Sequence, residues 1–98
     1  MKRDYTVIDN REKQRFEIHA EGHIAFEDYA LFEGGIAYLH TEVPPELGGR
    51  GIASFLIQYL LDDAAAKGLK VKPVCPVVRA YIEKHPEYQT NTVPWQDG

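Results

Sequence analysis

The chain has 98 residues, of which 44% are apolar and 27% charged, and a formal net charge of −4. That length suits one compact domain, residues 1–98, with a single core and no room for a separate substrate domain. Lys and Arg are scattered rather than striped, which argues against nucleic acid as a partner, and the single cysteine, Cys75, excludes an internal disulfide and a cysteine-based zinc cluster.

Met1-Lys2-Arg3-Asp4-Tyr5 lacks the apolar centre of a signal peptide. No run approaches the ~20 apolar residues that span a bilayer. A cytoplasmic protein without a membrane partner is therefore expected. Tyr5-Thr6-Val7-Ile8-Asp9 reads as a short strand and Asn10-Arg11-Glu12-Lys13 as a polar turn. Phe16-Glu17-Ile18-His19-Ala20 alternates apolar and polar residues, the pattern of a half-buried strand. Glu21-Gly22 marks a turn, and His23 to Glu33 reads as a long strand bent near Glu27-Asp28. Gly34-Gly35 signals a hairpin. Ile36 to Val43 is the next strand, and Pro44-Pro45 ends its ladder because proline has no N–H to give.

A helix from about Gly49 to Lys67 follows. Ile52, Phe55, Leu56, Tyr59, Leu60 and Ala64 recur at helical spacing as one apolar stripe. Gly68 is its expected stop. Leu69 to Val74 reads as a short strand, and Pro76 suits the first turn of a second helix running to about Lys84. The polar tail, residues 89–98, is expected to be loosely held, with Trp95 able to dock.

The predicted class is therefore α+β: a mixed, mostly antiparallel sheet with a strand–helix–strand unit and a C-terminal helix. That unit should be a right-handed crossover between parallel strands. Its ligand crevice lies at the C-terminal ends of those strands. Val43-Pro44, the glycine loop and Cys75 all fall at that edge. The loop itself, Pro44-Pro45-Glu46-Leu47-Gly48-Gly49-Arg50-Gly51-Ile52-Ala53, opens the long helix. A helix start carries bare N–H groups and roughly half a positive charge, so it is a natural seat for a diphosphate. The plainer reading is a glycine-rich turn that only begins a helix.

The segment Gly48-Gly49-Arg50-Gly51-Ile52-Ala53 resembles the pyrophosphate loop Q/R-x-x-G-x-G/A of the GNAT superfamily of acetyl-CoA-dependent N-acetyltransferases. Gly51-x-Ala53 matches, and Gly48 stands where Gln or Arg is usual. His40 to Ala53, Pro73-Val74-Cys75-Pro76 and Tyr81 to Tyr88 together are similar to its minimal single-domain members. The resemblance implies a GNAT-like sheet whose strand–helix–strand unit binds CoA, with acetyl-CoA as cosubstrate, an amine acceptor and no metal. It implies that Gly48, Gly49, Arg50, Gly51, Ile52 and Ala53 hold the pyrophosphate, with Arg50 as charge support. It also implies that the strand ending at Val43 splays from its neighbour and receives the pantetheine arm. Many members carry a Tyr acid seven residues after an Asn; here Cys75 and Ile82 take those positions, and Tyr81 is one residue off. The early helices that shape the acceptor pocket in larger relatives have no room here. An open site suited to a bulky amine or a protein side chain is implied.

The residues themselves suggest further roles. The resemblance implies that a free backbone N–H of the strand ending at Val43 polarises the thioester carbonyl, and Val43 is the natural candidate because Pro44 and Pro45 have none. Such a donor contributes roughly 3–4 kcal/mol to the transition state; an ordinary strand end is the plainer reading. His40 and Glu42 share a strand face and are candidate bases for a deprotonated amine; the plainer reading makes them a packed and a solvated strand residue. Cys75 precedes Pro76 at a helix start, which lowers a thiol pKa, so an acetyl-cysteine intermediate is one route and direct attack in a ternary complex the other. A small buried residue is the plainer reading of Cys75. His19, His23 and His85 show no metal-ligand spacing, and Tyr29, Tyr38, Tyr59, Phe26 and Phe55 read as core or pocket walls. The expected function is acetyl transfer to an amine. The alternative is a non-catalytic acyl-CoA-binding or protein-interaction module, which the loss of the Tyr acid would suit.

Overall fold

A computed structural model describes residues 5–94; Trp95 lies outside them. Four strands form an antiparallel meander: β1 (Val7–Asn10), β2 (Arg15–Ala20), β3 (His23–Phe32) and β4 (Gly35–Glu42). After the helix α1 (Ile52–Ala66), strand β5 (Lys70–Pro73) pairs in parallel with β4, and the helix α2 (Pro76–Lys84) follows. The sheet order is β1-β2-β3-β4-β5. The α+β class and the parallel β4–β5 pair therefore agree with the sequence reading.

One core holds these elements together. Phe16 and Ile18 of β2, Tyr29 of β3, Tyr38 of β4 and Val71 of β5 share one buried cluster with residues of both helices. On α1 the buried residues are Ile52, Leu56, Ile57, Leu60, Leu61 and Ala64. The predicted stripe is thus rotated: Ile57 and Leu61 enter the core, while Phe55 is half-buried at its rim and Tyr59 is exposed. The reason is that α1 meets α2 as well as the sheet, so its apolar face is wider than one stripe. Each fully buried Leu here contributes roughly 1.5–3 kcal/mol, and Leu60→Ala is expected to destabilise by about 2–5 kcal/mol. The Tyr38 hydroxyl donates to the Leu60 carbonyl at 2.7 Å, tying β4 to the middle of α1.

The chain after α2 is fastened among the described residues. Residues Pro86–Asn91 form a 3-10 segment. The Tyr88 hydroxyl donates to Asp62, Asn91 donates to the Leu69 carbonyl at 2.9 Å, and Val93 N–H donates to the Val71 carbonyl at 2.9 Å. The first ties the segment to α1, and the other two cover the outer edge of β5, which would otherwise present open donors and acceptors.

Two irregularities position the site. First, Asp28 pairs with His40 but Tyr29 pairs with Tyr38, so Leu39 is an extra residue in β4. Such a bulge resets the alternation of side chains along a strand. Before it, Tyr38 faces α1; after it, Thr41 faces the helix side and His40 and Glu42 turn to the open face. Second, the β4–β5 ladder stops at Tyr38 and Pro73. β4 continues to Glu42 with only β3 beside it, so the two parallel strands part at their C-terminal ends.

Candidate active site

The chain leaves β4 through a 3-10 turn, Pro45–Leu47, closed by the Leu47 N–H on the Pro44 carbonyl and the Gly48 N–H on the Pro45 carbonyl. Gly49 and Gly51 then take φ of +76° and +73°, a region that costs other residues roughly 1–2 kcal/mol. A Cβ on either would meet nothing within 4 Å, so both face open space. Gly51 caps α1 without a side-chain acceptor, and the first helical bond runs from the Phe55 N–H to the Gly51 carbonyl at 3.0 Å. The N–H groups of Ile52, Ala53 and Ser54 thus have no intrahelical acceptor. Ser54 escaped the sequence reading, which started the helix at Gly49 and so counted its bare amides too early. Gly48 differs from its neighbours: its φ is −65° and its N–H is already used. Arg50 is ion-paired with Glu21 of the β2–β3 turn, so its charge is shared with a carboxylate.

From this helix start a groove of about 240 Å³ runs between α1 and α2. Ala53, Ser54 and Ile57 line one side, Val77, Ala80 and Tyr81 the other, and Lys84 and His85 complete it. Tyr81 stacks on His85 with ring centroids 4.1 Å apart, and burial, then Asp62 and Glu87, push its phenol up. Ile82 is buried in the core. The position at which the resemblance implies a Tyr acid is therefore apolar packing.

Cys75 sits where β4 and β5 part. It is buried, is the N-cap of α2, and its N–H donates to the Tyr38 carbonyl at 2.8 Å. Its sulfur lies 3.1 Å from the Thr41 hydroxyl, which donates to Glu27 Oε1. Glu27 is 0% exposed, and its Oε2 has no partner among the described residues. Burial pushes this carboxyl up to about 7, against the hydrogen bonds of Thr41 and Cys75 and the attraction of His40. Neither Glu27 nor Thr41 was singled out from the sequence. Thr41 lies between the two candidate bases, and the unpaired Leu39 brings it, rather than them, to the helix side.

His40 and Glu42 are brought together on the open face, Nε2 to Oε1 at 2.9 Å, both well exposed. The Glu42 hydrogen bond raises the His40 pKa above its ordinary 6.5. The three expected neighbours thus divide into two clusters, one on each side of β4. Val43 lies just past the last β3–β4 pair and packs against the core. Phe26, expected in the core or a pocket wall, is on the open face under the Arg15 guanidinium. Beside it Glu17 is nearly buried; burial opposes its charge, yet hydrogen bonds from His19, Arg15 and Asn10 pull it down to about 2.

Residues 15–91 match the family described as GCN5-related N-acetyl-transferase. The chain belongs to this family. The matched span runs from β2 through the 3-10 segment after α2 and includes both clusters. Membership in the GCN5-related family supports acyl transfer from a CoA thioester as the class of chemistry. Among the described residues, no group of three or more His, Cys, Asp or Glu is arranged to hold a metal ion. No described helix is long and apolar enough to cross a membrane.

Proposed function

We propose that the chain transfers an acetyl group from acetyl-CoA to an amine, on an open surface suited to a protein or peptide side chain. The observation that carries this reading is a convergence: bare amides at Ile52–Ser54, an unpaired β4 edge and Cys75 meet at one end of the parallel pair. Acetyl-CoA fits the donors present. Its diphosphate would take the N–H groups of Ile52, Ala53 and Ser54, assisted by the open space at Gly49 and Gly51. Arg50 would add charge by turning from Glu21 to the anion, and Lys84 would add charge in the groove. Gly48 serves the turn rather than the anion. The thioester supplies an activated acetyl group in the gap beyond Tyr38, with the Val43 N–H as oxyanion donor, worth roughly 3–4 kcal/mol.

The acceptor would approach from the open face. There Glu42 and Asp28 favour a cationic amine by charge, and His40, made more basic by Glu42, removes its proton. The acetyl group then passes either directly or by way of Cys75. Calorimetry with acetyl-CoA, followed by CoA release against a panel of amines and Lys-containing peptides, tests this. Saturable binding with amine-dependent release supports it. Binding with no release above background would leave an acyl-CoA-binding module, and no binding would end both readings. A Cys75→Ala protein with undiminished turnover would remove the acetyl-cysteine route.

A further inference from the structure

A buried carboxyl group with one idle oxygen is expensive unless it is protonated or has a purpose. Glu27 is such a group. It sits on the helix side of β3 opposite Thr41, in register with it, and Thr41 touches Cys75. A hydroxyl has one proton to donate and lone pairs to accept with. Since Thr41 donates to Glu27, the proton between Thr41 and Cys75 belongs to sulfur. The three side chains therefore form one directed chain, from S–H through O–H to carboxylate.

The geometry points to Glu27 and Thr41 as positioning residues that set the protonation of Cys75, with Glu27 holding the thiol proton whenever the sulfur is ionised. The thiol proton moves to Thr41 Oγ1 as the Thr41 proton moves to Glu27 Oε1, and the wire then points the other way. The sulfur is left as thiolate and the carboxyl as acid, with no net change of charge. Within the acetyl-transfer reading, on which only this last use rests, the thiolate forms a C–S bond to the acetyl carbon as the bond to the CoA sulfur breaks. Amine attack later expels Cys75 as thiolate, which recovers its proton from Glu27 through Thr41. The proton lost by the amine balances the one gained by the CoA thiolate. The groups that act on Glu27 are known: Asp28 on its own strand disfavours the carboxylate, and His40 on β4 favours it. Tyr38, whose phenol burial pushes far up, stays neutral throughout.

The test uses the full chain with isotope-labelled cysteine, whose one residue gives one signal. In the unmodified protein the Cys75 β-carbon shift should follow pH with an inflection near the Glu27 value of about 7. Glu27→Gln and Thr41→Val should each abolish that inflection, and Thr41→Ser should restore it. His40→Gln should keep the inflection and move it only to higher pH, since it removes an attraction that favours the carboxylate, which separates it from titration of the imidazole across the strand. If Glu27→Gln fails to fold, Glu27→Leu fills the same space without a buried polar group and serves instead. An inflection that persists without the carboxyl, or without the hydroxyl, overturns the wire, since a merely structural role would change stability and not this curve. Acetyl-CoA is then added and the acetyl adduct on Cys75 followed by mass, with an expected slowing of about 10²-fold in Glu27→Gln. No adduct in any protein, with the inflection behaving as stated, refutes the acetyl-cysteine route and leaves the wire standing.

Discussion

Ser54→Asp separates a helix start from an anion seat, because the two readings predict effects of opposite sign. The first turn of α1 has no acidic residue and no side-chain cap. A carboxylate there meets the positive end of the helix and should stabilise the fold by about 0.3–1 kcal/mol. For a domain of this size that raises Tm by roughly 2–6 °C. The same carboxylate repels a bound diphosphate. Two negative charges about 6 Å from it, at an effective dielectric between water and a protein surface, give roughly 1.5–3 kcal/mol. Affinity for acetyl-CoA should therefore fall about 10- to 100-fold. Thermal unfolding and calorimetry at one fixed, low ionic strength read the two effects, since salt screens both. Ser54→Asn, neutral and of similar shape, should leave affinity unchanged. A Ser54→Asp protein that gains stability and keeps its affinity would refute the diphosphate seat and leave only a turn that begins a helix.

Stability should vary with pH through two buried carboxyls of opposite sign. Glu17, held down to about 2, contributes stability that is present above its ordinary 4.5 and lost as pH falls toward 2. Glu27, pushed up to about 7, binds more protons folded than unfolded, so its contribution declines as pH rises from 4.5 toward 7. Denaturant titrations should peak between these limbs, and Glu27→Leu should flatten the upper one. Acetyl transfer that requires neutral His40 should climb with pH through the raised His40 value, and Glu42→Gln should move that climb to lower pH in the kcat/KM profile. Tyr38→Phe should destabilise by about 1 kcal/mol, read by denaturant midpoint, because it removes a buried hydrogen bond between β4 and the Leu60 carbonyl of α1.

Much of this fold is written locally. Phe16 to Ala20 alternates, Pro44-Pro45 stops a ladder, and Pro76 opens a helix; each of these acts within a few residues, and each element formed where its signal lies. The edge at which β4 leads into the glycine turn and β5 into Cys75 follows from the parallel pairing of the two strands, whose C-terminal ends lie together, so it too was readable. The site's inner wiring was not. Period-two alternation from Tyr38 puts His40 and Glu42 on the helix side, and one unpaired residue, Leu39, reverses that assignment. A bulge reflects a mismatch between two strands, and one strand's residues do not announce it.

Residue chemistry and short-range geometry thus decide where strands end, which helix begins with bare amides and that a lone thiol follows β5. Packing between distant segments decides the rest: that Thr41 rather than His40 touches the sulfur, that Glu27 is sealed behind it, and that Arg50 answers to Glu21. The physical reason is that burial and pairing belong to the assembled sheet. The Glu27 carboxyl is closed off from water only in the assembled sheet, and only there does burial act on its proton.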